Sequence, residues 1–121
     1  MSARMNNLEQ RTKTFSLAVI RLFGSLPRNS LPAEIIGKQV LRSATSVGAQ
    51  YREAMRGRSK EEFAAKLGSS LQELHETVYW FELLAEASII TKEKISPVYK
   101  EALELTAMIT ASLKTIKARK T

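Results

Sequence analysis

The sequence predicts an all-α protein that folds as an antiparallel up-down-up-down four-helix bundle. Glycine and proline are scarce, with five and three residues, and no alternating Val/Ile/Thr-rich run is present. Four segments carry apolar residues in steps of three and four, and short turns separate them. A length of 121 residues suits a single core. We therefore expect one bundle domain over 1–121.

The first helix is predicted over about 7–26. Residues spaced three and four apart lie on one side of a helix, and we call that row its stripe. In the first helix the stripe contains Thr12 and the apolar residues Leu8, Phe15, Val19, Leu22 and Leu26. Pro27 ends the helix, because proline disfavours helical geometry in the residue before it.

The second helix is predicted over about 33–56, with Pro32 tolerated in its first turn. At 100° per residue, one side carries Ile36, Val40, Ala44, Val47, Tyr51 and Met55. The opposite side carries Lys38, Arg42, Arg52 and Arg56 within an arc of about 80°. Gly57 follows where a left-handed residue after the helix end is expected.

The third helix is predicted over about 60–88, because Ser59 and Glu62 have the spacing of a capping box. Its stripe is Phe63, Leu67, Leu71, Leu74, Val78 and Phe81. Trp80 and Leu83 point away from that stripe, which favours self-association. We expect Glu73 and Glu76 to pair with arginines of a neighbouring copy, so the predicted oligomer interface is Glu73, Glu76, Trp80 and Leu83.

The fourth helix is predicted over about 92–117, and two starts remain open. It begins at Thr91, with Pro97 disturbing the first turn, or at Ser96, with Pro97 as its first residue. Its stripe is Val98, Ala102, Leu105, Ile109, Ser112 and Ile116. Residues 118–121 are expected to form a flexible basic tail.

Charge is divided unevenly along the chain, whose net charge is +7. Residues 1–60 hold eleven Lys/Arg and three Glu, residues 61–113 hold four Lys and nine Glu, and residues 114–121 hold four cations. This asymmetry predicts either a polyanionic partner for the basic part or docking of basic on acidic surfaces.

The cationic side of the second helix, opposite its apolar stripe, and the turn after the helix predict a surface that binds nucleic-acid phosphates. Arginine forks onto phosphate, and the amino end of the third helix adds a favourable dipole. The expected contacts, including an auxiliary set in the tail, are Lys38, Arg42, Arg52, Arg56, Arg58, Lys60, Lys117, Arg119 and Lys120. Sequence-specific recognition of bases is not expected, because no aromatic residues that could stack on bases lie between these cations. The alternative is an ordinary solvated helix face.

Enzyme chemistry finds little support in the sequence. Cysteine and aspartate are absent and His75 is the one histidine, so a Ser/His/Asp triad is impossible. A di-iron bundle needs Glu-x-x-His on two helices, whereas residues 72–75 read Gln-Glu-Leu-His. We expect no catalytic centre, no metal and no cofactor.

Cellular location follows from equally simple features. The N-terminus lacks the apolar run of a secretion signal, and no segment approaches the about 20 apolar residues of a membrane span. Together with the absence of cysteine, this predicts a cytoplasmic protein without a membrane partner.

Residues 39–84 resemble the bacterial four helix bundle protein family, also called the ribosomal-RNA intervening-sequence protein family. The matching residues are Gln39, Arg42, Ser43, Ser46, Val47, Glu53, Gly57, Arg58, Ser59, Glu62, Phe63, Ser70 and Glu73. Gln50 stands where the family usually has Asn, and Ala54-Met55-Arg56 replaces a Gly-rich turn.

The resemblance implies a homopentameric barrel of four-helix bundles with a basic surface that contacts RNA or DNA. The family is also similar in architecture to the accessory proteins of diversity-generating retroelements. This similarity implies a reverse transcriptase as a possible partner. The competing expectation is a protein-interaction scaffold whose basic half docks on an acidic partner or on a neighbouring subunit.

Overall fold

Four helices account for most of the chain. The computed structural model describes the backbone of residues 3–118 and the side chains of residues 7–118. The helices are α1 (Ala3–Phe23), α2 (Leu31–Met55), α3 (Lys60–Glu86) and α4 (Lys92–Ala118). Both α1 and α3 pack against α2 and α4. The predicted all-α, four-helix class is confirmed, and the contacts between adjacent helices are those of an up-down bundle.

Two helix ends fall earlier than expected. α1 stops at Phe23, because Ser25 and Leu26 donate to carbonyls only three residues back, at 3.0 and 3.2 Å. α3 stops at Glu86, and Ser88 takes a left-handed conformation with φ of 58°. Both differences lie within the turns that join helices.

Serine side chains cap the amino ends of α2 and α3. The Ser30 oxygen accepts the Ala33 N–H at 3.3 Å, and the Ser59 oxygen accepts the Glu62 N–H at 3.0 Å. Each serine therefore satisfies a backbone donor that the helix leaves unpaired. The Ser59 bond is the first half of the expected capping box.

The start of α4 settles the alternative that the sequence leaves open. The helix begins at Lys92, and the Thr91 carbonyl accepts the N–H groups of Lys94 and Ile95, each at 3.2 Å. Pro97 therefore lies inside the helix, where it removes the donor that the Glu93 carbonyl would otherwise receive. Both residues are exposed, so water can satisfy that carbonyl.

The expected left-handed conformation at Gly57 is wrong. No glycine among the described residues has a positive φ. A Cβ at Gly57 would instead lie 3.1 Å from both the Ala54 oxygen and the Phe63 nitrogen. Tight passage of the chain between α2 and α3 explains a glycine here better than an unusual backbone angle does.

The core lies along the predicted stripes. Phe15 and Phe81 meet edge to face across the bundle, with ring centroids 6.4 Å apart. Val47, Leu74 and Leu105 are fully buried from three different helices. The bundle thus closes around one continuous apolar centre.

Buried hydroxyl groups fix how α2 sits on α3. The Thr77 hydroxyl donates to the Ser43 hydroxyl oxygen at 2.8 Å, and the Ser70 hydroxyl donates to the Val47 carbonyl at 2.8 Å. All four residues are buried, and slippage between the helices would break both interhelical hydrogen bonds. This register decides which charged residues of the two helices meet outside.

Candidate nucleic-acid interface

The cations of α2 lie on its outer side, as the helical pattern predicts. Lys38, Arg42, Arg52 and Arg56 are all exposed, whereas Val47 on the other side is fully buried. The outer side of α2 is therefore accessible along its length. Access alone does not make each cation available to a ligand, because some of them already have anionic partners.

Arg42 is bound to α3 of its own chain. Its Nη2 contacts the Glu76 carboxylate, and its Nη1 lies 3.4 Å from Glu73 Oε1. Trp80 Nε1 donates to the same Glu76 carboxylate at 3.2 Å. The hydrogen bond from Arg42 is the main cause that lowers the pKa of Glu76. Both glutamates expected to meet a neighbouring copy's arginine thus already have one within the chain.

Two other cations of the basic half are also paired. Arg52 Nε lies 3.9 Å from Glu9 Oε1, at the outer limit of an ion pair, and both side chains are about half exposed. Arg11 bridges α1 and α4, with Nη2 2.6 Å from Glu101 Oε1. The Arg11 pair raises the pKa of the guanidinium, mainly through that hydrogen bond. The sequence gives no sign of this bridge, because the two residues are far apart along the chain.

Arg56 and Arg58 are the most available of the predicted contacts. Both are exposed, and within the described side chains neither forms an ion pair. Arg56 caps the end of α2, where its backbone N–H donates to the Glu53 carbonyl at 3.1 Å. Lys38 is likewise exposed and unpaired within residues 7–118, but it lies near the other end of α2.

The fold brings the cations of the turn and of the C-terminus together. Lys60, at the start of α3, and Lys117, near the end of α4, line the same crevice of about 70 Å³ with Ile116 between the helices. We call Arg56, Arg58, Lys60 and Lys117 the basic end. Arg119 and Lys120, predicted as further contacts, lie outside the described residues.

Neighbouring carboxylates limit the charge of the basic end. Glu61 lines the same crevice as Lys60 and Lys117. Glu61 and Glu62 occupy the first turn of α3, where they interact favourably with the helix dipole but repel an incoming anion. The Glu62 N–H is already taken by Ser59. The cationic side chains, more than the helix end itself, must therefore attract a polyanion.

The predicted oligomer contacts Trp80 and Leu83 are half-buried at the outer side of α3. Trp80 packs against the core and meets the Tyr79 ring at 5.1 Å. Tyr79 itself is 53% exposed, and Leu31 and Ile35 of α2 are 66% and 52% exposed. The sequence analysis does not identify these three residues as exposed apolar side chains, because they lie outside the apolar stripes of their helices.

The described residues form neither a metal-binding cluster nor a membrane-spanning helix. No three His, Cys, Asp or Glu residues there lie close enough together to hold a metal ion. Within the same residues, no helix combines the length and apolar character needed to cross a membrane. His75 is exposed on α3.

Comparison with known proteins agrees with this architecture. No curated protein matches this chain. A crystal structure from Bacteroides thetaiotaomicron, described as a protein of unknown function from the S23 ribosomal protein family, superposes with a TM-score of 0.83. That protein is 30% identical, and the similarity covers 92% of this chain and 98% of the other. The model of the 23S rRNA-intervening sequence proteins matches residues 4–111. The chain therefore belongs to the 23S rRNA-intervening sequence protein family.

Proposed function

We propose that this protein is a non-catalytic, homo-oligomeric nucleic-acid-binding protein. The observation that carries the proposal is the basic end, where exposed Arg56 and Arg58 have no anionic partner among the described side chains and Lys60 and Lys117 converge. Phosphate binding to such a cluster releases counterions and needs no base contacts. The ligand is the sugar-phosphate backbone of RNA or DNA, bound without strong sequence preference.

The proposal differs in extent from the expectation based on the sequence. Lys38 stands apart from the basic end, and Arg42 is occupied by two carboxylates. A phosphate approaching the Arg42 guanidinium would meet Glu73 and Glu76, which repel it and compete for the same donors. We therefore assign the main contribution to the turn between α2 and α3 and to the end of α4, with Arg52 at the edge.

The family name makes RNA the first ligand to test. Similarity to retroelement accessory proteins adds a reverse transcriptase as a candidate partner. Assembly into a homo-oligomer, a pentamer by the same resemblance, would repeat the basic end around a ring. Several weak sites on one strand would then act together, because linked sites raise the effective concentration of each other.

The test is binding of fluorescent mixed-sequence RNA and DNA, followed by anisotropy at about 50 mM salt, where such contacts are strong. Arg56→Ala/Arg58→Ala should lower the affinity by roughly tenfold. The matched control, Arg21→Ala/Arg28→Ala, removes two exposed arginines near the other end of the bundle and should bind like the parent. Absence of binding by the parent protein would overturn the proposal.

A protein-interaction scaffold is the second candidate. It is favoured by Leu31 and Ile35, which lie four residues apart on α2 and are 66% and 52% exposed, since adjacent apolar side chains in solvent can form a contact with another protein. A scaffold of this kind would not retain nucleic acid at low salt, so the same anisotropy experiment separates the two candidates.

A further inference from the structure

A cavity of about 290 Å³ opens between the end of α3 and the start of α4. Its volume is near the lower limit of pockets that bind small molecules. Phe81 and Ile95 are buried beneath it, and the partly exposed residues Ala85 and Tyr99 line its surface. An apolar group placed against Ala85 and Tyr99 would lose contact with water on one side.

The wall of the cavity carries two carboxylates. Glu82 and Glu86 lie four residues apart on α3, so both project along the same side of the helix. Neither forms an ion pair among the described side chains. The Tyr99 hydroxyl donates to Glu82 Oε2 at 3.1 Å and places a phenol ring beside these groups.

The opposing charge is one lysine. Lys92 also lines the cavity, yet it is exposed and forms no ion pair with Glu82 or Glu86 within 4 Å. Two carboxylates against one ammonium leave the cavity negative. The hydrogen bond to Glu82 is the main cause that raises the pKa of Tyr99.

We propose that this cavity binds a small organic cation, an ammonium group carried on an apolar body. The apolar body lies against Ala85 and the edge of the Tyr99 ring, and the ammonium donates to Glu82 and Glu86. Hydrogen bonds between charged partners are stronger than neutral ones. The Tyr99 ring adds a surface that favours a cation. The site is separate from the basic end and does not depend on nucleic-acid binding.

Phenethylamine is a suitable probe, and 2-phenylethanol is its uncharged match. Each would be titrated into the full-length protein while backbone amide shifts are recorded by NMR. We expect saturable shifts from the amine within residues 81–99, and at least roughly tenfold weaker binding of the alcohol. Equal affinity of the two compounds, or no saturation by the amine, would overturn the proposal.

Three variants locate the binding. Glu82→Gln/Glu86→Gln should weaken the amine by roughly tenfold, whereas Glu61→Gln/Glu62→Gln, an exposed pair at the other end of α3, should not. Lys92→Ala should tighten amine binding, because it removes a repelling charge. Unchanged amine affinity in both the Glu82/Glu86 and the Lys92 variants would place the probe elsewhere and refute the site.

Discussion

Lys60 and Lys117 line one crevice although 57 positions separate them in the chain. Antiparallel packing of α3 on α4 brings the start of one helix to the end of the other. Two cationic segments therefore act at one end of the bundle. The proposed phosphate-binding surface is defined by this convergence, more than by the cationic side of α2.

Arg42→Ala should change nucleic-acid binding less than Arg56→Ala does. Arg42 lies 14 positions before Arg56, away from the basic end, and its guanidinium already donates to Glu73 and Glu76, so its loss takes no phosphate contact from the basic end. Its side chain is 49% exposed, and we expect a loss of about 0–1 kcal/mol in the free energy of unfolding. Anisotropy and urea denaturation measure the two effects. If Arg42→Ala weakened binding as much as Arg56→Ala does, Arg42 would also contact the nucleic acid and this assignment would be wrong.

The Glu76 carboxylate should make stability depend on acid pH. Its pKa is lowered in the folded state by the hydrogen bond from Arg42, so its contribution is present above the ordinary value of 4.5. That contribution is lost as pH falls from 4.5 through the lower folded pKa. The unfolding free energies of the parent and of Glu76→Gln should therefore converge over this range. A difference between them that stays constant with pH would contradict the assignment.

Two glycine variants should move stability in opposite directions. At Gly68, inside α3, an added Cβ meets nothing within 4 Å, so Gly68→Ala should raise stability by about 1 kcal/mol through helix propensity. At Gly37, an added Cβ would lie 2.5 Å from Leu26 Cδ1 and 2.9 Å from Phe23 Cε1. Gly37→Ala gains the same helix propensity, but overpacking of about 1–3 kcal/mol against Phe23 and Leu26 should make the net change destabilising. Thermal denaturation of both variants gives the comparison.

Self-association should depend on the outer side of α3. Light scattering of the parent protein should give a mass well above the 13.5 kDa of one chain. Leu83→Glu should lower that mass, because it places a charge in the proposed apolar contact. Leu103→Glu is the control, since Leu103 is an exposed leucine of α4. A monomeric parent, or equal effects of the two substitutions, would contradict this interface.

The sequence predicts the helices well because each one has a continuous apolar side that faces the core. Phe15, Val47, Leu74 and Leu105 are buried as their spacing indicates. Ionic contacts between helices are much harder to foresee. The contact between Arg42 and Glu76 depends on the axial register of α2 and α3, which the Thr77–Ser43 hydrogen bond helps to fix.

The basic end could be predicted only in part. The turn residues Arg56 and Arg58 follow directly from the charge pattern. Proximity of Lys117 follows only once an up-down topology places the end of α4 beside the start of α3. The conformation of Gly57 could not be predicted, because contact with Phe63 and an unusual backbone angle both select glycine.

The salt dependence of RNA affinity tests the phosphate-binding surface most directly. For the parent protein, log affinity should fall steeply and linearly with log salt concentration. Removing Arg56 and Arg58 together should reduce the slope by about 1.5, while the Arg21/Arg28 control keeps the parent slope. Identical slopes for the parent and the Arg56/Arg58 variant would show that the basic end does not bind phosphates.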